Sequence, residues 1–126
     1  MSIRGRSKER GAIPKFYRIV PYSEVTADDF LSHQAKGLPA GRKAREEGWW
    51  VGVSAYDSLL VACRLAVDRN YRHGRFIAEL LVEETSTITF KQTTSVAEHY
   101  TLWGTPADLL RCVQWVQAAE RCAGLM

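Results

Sequence analysis

Trp49-Trp-Val-Gly-Val-Ser-Ala-Tyr-Asp-Ser-Leu-Leu-Val-Ala-Cys-Arg-Leu-Ala-Val-Asp68 changes its hydrophobic period halfway along. Trp49 to Ser54 combines two tryptophans with alternating valines, the pattern of a strand buried on at least one face, and Gly52 permits close backbone approach there. From Asp57 onward, Leu59, Leu60, Cys63, Ala66 and Val67 recur at three- and four-residue steps. That spacing predicts a helix running to about Arg69. Ser54 or Asp57 would cap it. The segment is therefore a strand–turn–helix unit, and the rest of the chain is organised around it.

Upstream, Phe16-Tyr-Arg-Ile-Val20 is an aromatic and β-branched strand closed by Pro21, which has no N–H for a ladder. Thr26 to Gly37 reads as a helix with Thr26 as cap, Asp28 and Asp29 at its positive end and Gly37 as its left-handed exit. Ala40 to Glu47 would form short exposed turns, with Arg42 facing Glu46. Downstream, Arg75–Val82 and Thr85–Lys91 read as strands joined in a hairpin near Glu83 and Glu84. Glu98–Trp103 is a further strand, ended by Gly104. Thr105-Pro-Ala-Asp108 then opens a helix whose apolar face is Leu109, Cys112 or Val113, and Val116, with Gly124 just past its end. Strands in succession without strict strand–helix alternation predict an α+β fold, not a doubly wound parallel sheet. The expected architecture is a mixed or antiparallel sheet of about five strands, with two main helices and one or two short ones packed on it.

The 126 residues suit a single hydrophobic core, and 46% hydrophobic with 25% charged residues is an ordinary globular balance. No apolar run approaches the roughly 18 residues a membrane-spanning helix needs. The N-terminal residues lack the apolar core of an export signal, so a cytoplasmic location is expected. Three cysteines, Cys63, Cys112 and Cys122, read as reduced, buried or half-buried thiols, and no histidine stands at a zinc-ligand spacing from them. The formal charge of +3 is concentrated in residues 1–15, where Arg4, Arg6, Lys8, Arg10 and Lys15 oppose only Glu9. This basic arm reads as a solvated, disordered tail ahead of one domain over 16–126, or as a segment that contacts phosphates.

Phosphate-binding loops, paired-glycine dinucleotide fingerprints, helical zinc motifs and the hydrolase serine elbow are all missing. The chemistry is left to polar residues at strand ends. Arg18 lies opposite Tyr17 and Ile19 by alternation, so it faces solvent or pairs with an acid or a ligand phosphate. Ser54 to Ser58 forms a turn into a helix N-terminus, which either caps the helix or holds an anionic group. Glu79 is a lone carboxylate among Phe76, Ile77, Ala78, Leu80, Leu81 and Val82; facing inward, it is a candidate acid, base or charge stabiliser. Glu98 and His99 fall on opposite strand faces, so at most one lines a site.

Tyr17-Arg18 on an early strand, Val53-Ser54 turning into a helix with central Ala62, and a late strand carrying Glu together resemble the Arg/Ser/Glu layout of the ADP-ribosyltransferase-like fold, including its compact toxin members. That resemblance covers about residues 16–103. It departs from the family pattern in two places: the Ser-Thr-Ser triplet is Ser54-Ala55-Tyr56, and no paired-acid motif marks the late strand. The resemblance implies an NAD-using transferase in which Arg18 and Ser54 bind NAD, Tyr56 stacks on nicotinamide, and Glu79 or Glu98 is the catalytic acid. It further implies a protein or nucleic-acid target and, for a toxin, a cognate neutralising protein. The competing expectation is a non-catalytic interaction domain that engages a protein or nucleic acid through the basic arm or exposed aromatics among Trp49, Trp50, Trp103 and Trp115.

Overall fold

The computed structural model describes residues 13–32, 35–37, 51–83, 87–93 and 97–124. In chain order these form β1 (Lys15–Val20), a 3-10 turn (Ala27–Phe30), β2 (Val53–Tyr56), α1 (Leu59–Asp68), β3 (Phe76–Leu81), β4 (Thr89–Gln92), β5 (His99–Trp103), α2 (Pro106–Arg111), β6 (Val113–Ala118) and α3 (Ala119–Cys122). The six strands make one sheet in the order β4-β5-β2-β1-β3-β6, and every pairing is antiparallel. The fold is α+β. No described helix is long and apolar enough to cross a membrane.

Alternation divides the strand side chains between two faces. Phe16, Val20, Val53, Ala55, Ala78, Leu80 and Leu102 point to one face, where Phe30 of the 3-10 turn and Leu109 of α2 close the core. Tyr56 and Ile77 point to the other, beneath Ala62, Cys63 and Ala66 of α1 and Ala119 of α3. Helix α1 buries its small residues there, and Ser58 caps it by accepting a hydrogen bond from the Val61 N–H. The expected start at Thr105-Pro106 is also realised: the Thr105 side chain accepts from Asp108 N–H at the head of α2.

Four expectations need correction. Strands β3 and β4 form no hairpin: β3 lies between β1 and β6, and β4 pairs with β5 at the sheet edge. Burial explains it, since β3 is buried on both faces and requires two neighbours, whereas β4 is mostly exposed and suits an edge. The C-terminal helix is interrupted. It stops at Arg111, and Val113 to Ala118 pairs along β3 with a register shift at Glu79/Leu80. Valines three apart satisfy a helical face, but the open edge of β3 selects the β-branched and aromatic content of this segment instead. The helix expected over 26–37 is reduced to Ala27–Phe30. Its start signal holds, because Thr26 N–H donates to Asp29 Oδ2 at 2.9 Å, but Leu31 is already extended. Finally, Cys63 and Cys122 are not reduced thiols: a disulfide joins α1 to α3 across a sequence separation of 59, leaving Cys112 as the free thiol. The expected turns over 40–47, the Trp49–Trp50 start of the strand and residues 1–12 of the basic arm lie outside the described residues.

Candidate anion-binding cleft

Strands β1 and β2 pair only at Tyr17 and Tyr56. A continued antiparallel ladder would next pair Arg18 with Ala55 and then Ile19 with Ser54, and neither pairing is made. The Arg18 side chain occupies the opening instead. Its Nη1 donates to the Ser54 carbonyl at 2.7 Å, and its Nε donates to the Asp29 carbonyl at 2.9 Å. The Phe30 ring lies 5.8 Å from the guanidinium carbon. A side chain thus ties the 3-10 turn to the end of β2 where main-chain pairing fails. Burial lowers the Arg18 pKa to about 10, while the nearby Asp29 and Tyr56 favour its charge, so the group is cationic at neutral pH.

The splayed strands open into a cleft of about 350 Å³, at the small end of the range for ligand sites. Arg18, Ser54, Tyr56, His99 and Thr101 line its sheet side, with Lys36, Arg69 and His73 around them. Arg69 arrives as the C-cap of α1. The described lining contains no carboxylate, so its charged members are cations.

One chain of hydrogen bonds ends in this cleft. The exposed Ser54 Oγ lies 3.0 Å from His99 Nε2, and His99 Nδ1 lies 3.3 Å from Thr93 Oγ1. Thr93 Oγ1 is in turn 2.7 Å from Thr101 Oγ1 on a side chain only 2% exposed. Both ring nitrogens of His99 are therefore held, and the Tyr56 ring meets the imidazole edge-on with centroids 5.3 Å apart. Desolvation, and then the charge of Arg69, lower the His99 pKa below its ordinary value. The imidazole is accordingly neutral at pH 7.

Arg18, Ser54 and Tyr56, the residues the sequence suggests for a cofactor, share this cleft. Ser54 does not cap α1, so its hydroxyl is available to His99. Glu79 and Glu98, suggested as catalytic acids, are not among the lining residues. Glu79 faces inward, 8% exposed, and accepts a hydrogen bond from Tyr17 Oη at 3.3 Å. Register puts it in one rank across the sheet, Trp115, Glu79, Tyr17, Tyr56 and His99, two strands away from Tyr56. Glu98 lies just before β5, where its carbonyl accepts from Asp57 N–H. Burial, reinforced by the charge of Glu98, raises the Asp57 pKa. Of the Glu98/His99 pair, the histidine reaches the cleft. Its place opposite Tyr56 follows from strand alternation, but nothing in the sequence links Lys36, Arg69 or Thr93 to Ser54.

Comparisons with protein-family models, curated proteins and solved structures returned no match to this chain.

Proposed function

We propose that the cleft binds a nucleotide through its diphosphate, with NAD as the substrate, and that the chain is an ADP-ribosyltransferase-like enzyme, a toxin or effector acting on protein or nucleic acid. The observation that carries this is the convergence of Arg18, Ser54 and Tyr56 on one cleft whose described charged lining is entirely cationic. Two of the five Arg18 N–H donors are committed to main-chain carbonyls, which fixes the plane of the guanidinium and leaves the others for phosphate oxygens. Arg69 and Lys36 add charge for a second phosphate. Tyr56 is 7% exposed, so it serves as a wall behind His99 and not as an open stacking platform. The cationic lining suits the diphosphate. When nicotinamide departs, positive charge develops on the ribose, and the negative charge of the bound diphosphate compensates part of it.

A crystal structure with ADP-ribose tests this: the diphosphate is expected within hydrogen-bond reach of Arg18 and Ser54, and a diphosphate bound elsewhere would overturn the assignment. Cytoplasmic action and a cognate neutralising protein belong to the same proposal. The Cys63–Cys122 bridge weighs against the first of these, because disulfides persist in oxidising compartments and are rare in cytosol.

A further inference from the structure

We infer that His99 is the proton acceptor of this cleft, working through the Ser54 hydroxyl and held in place by Thr93. The inference rests on the nucleotide reading above and assigns the acid–base role that neither Glu79 nor Glu98 is positioned to fill. A general base must face the substrate, be unprotonated at working pH and be oriented by a further group. His99 meets all three conditions. Its Nε2 is 3.0 Å from Ser54 Oγ at the cleft surface, and its Nδ1 is 3.3 Å from Thr93 Oγ1. Thr93 is anchored by Thr101, whose side chain is buried against Gly52: a Cβ at Gly52 would overlap Thr101 Cγ2. The strand, the glycine and the two threonines together fix the ring.

The step balances as follows. The C1′–N bond to nicotinamide breaks and its electron pair leaves with the neutral base. A bond forms from C1′ to the oxygen of water, or of an acceptor hydroxyl. The nucleophile gives its proton to Ser54 Oγ while the Ser54 proton passes to His99 Nε2. The resulting imidazolium donates from Nδ1 to Thr93. The titratable or charged groups facing His99 are Arg69 from the end of α1 and Tyr56 from β2, with Arg18, Lys36 and His73 elsewhere on the cleft wall. Free of ligand, the cations oppose protonation of the ring. A bound diphosphate offsets them, so nucleotide binding and proton acceptance reinforce one another.

The test combines NMR titration of the His99 ring in the full chain, with and without saturating ADP-ribose, with the pH profile of NAD hydrolysis. The ring is expected to titrate below its ordinary value in the free protein and to move upward with ADP-ribose bound. Wild-type hydrolysis is expected to fall on the acid side, and His99→Asn to lose about 100-fold in rate together with that acid limb, while ADP-ribose still binds. Thr93 does not itself line the cleft; Thr93→Val removes the Nδ1 partner and is expected to lower the rate and shift the ring titration. If ADP-ribose binds but leaves the His99 titration unmoved, or if His99→Asn keeps the wild-type rate and acid limb, the inference fails and the nucleotide reading survives. If ADP-ribose does not bind the chain at all, both fall.

Discussion

Reducing the Cys63–Cys122 bridge is expected to remove a large share of the stability of the fold. The bond closes a loop of 59 residues, and the chain-entropy relation for a loop of that length gives about 4 kcal/mol at 25 °C. Small proteins are stable by about 5–15 kcal/mol in total, so the loss is severe. It has a local structural cause as well. Helix α3 spans only Ala119–Cys122, far too short to persist alone, and it covers Ile77 and the fully buried Cys63 on the α1 face. With a urea dependence of about 1.5 kcal/mol per molar, the unfolding midpoint should fall by roughly 2–3 M on adding a phosphine reductant. Cys122→Ser should show the reduced midpoint from the start and no response to reductant. The denatured, unreduced protein should expose one titratable thiol, Cys112. Three thiols, or identical midpoints with and without reductant, would refute the linkage and with it the account of how α3 is held.

Two serines four residues apart should separate capping from binding: Ser58→Ala is expected to cost about 1 kcal/mol in unfolding free energy, and Ser54→Ala to change stability by less than about 0.5 kcal/mol while weakening ADP-ribose binding. Arg18→Lys keeps the charge but not the fork that joins Asp29 O and Ser54 O; a loss of about 2 kcal/mol in denaturant melts is expected. Gly52→Ala would drive a Cβ into Thr101 and within 2.9 Å of the Leu102 carbonyl, so it should destabilise the protein and, by displacing Thr101, disturb the His99 ring resonances. Folding lowers the His99 pKa, so below about pH 6.5 the unfolded chain binds more proton. Stability should therefore decline as pH falls from 6.5 through the folded value, and His99→Asn should flatten that part of the profile.

Much of this architecture is legible in the sequence where one residue type admits one physical solution. Proline after Val20 ends β1, Thr105-Pro106 starts α2, and the four- and three-residue steps from Leu59 to Cys63 to Ala66 commit α1 to one buried face. Alternation likewise puts Arg18 opposite Tyr17 and separates His99 from Glu98. The sequence is ambiguous where two periods coexist: Val113 and Val116 fit a helical face as well as they fit β6, and only the edge of β3 decides between them. Strand partners are also beyond its reach, because β3 followed by β4 suggests a hairpin until burial on both faces of β3 demands other neighbours. The cleft arises from a failure of pairing between β1 and β2, and no local motif announces where a ladder will break. That is why Arg18 and Ser54 are readable individually, whereas Arg69, Lys36 and Thr93 become visible only once the chain is folded.

The most direct measurement is a calorimetric titration of NAD and of ADP-ribose into the full chain at two salt concentrations, repeated with Arg18→Lys. Saturable binding that weakens with added salt, and that falls at least about tenfold in the variant, is the expected result. Absence of binding at millimolar NAD and ADP-ribose, or affinity indifferent to Arg18, would contradict the claim that the splayed β1–β2 cleft is a nucleotide site.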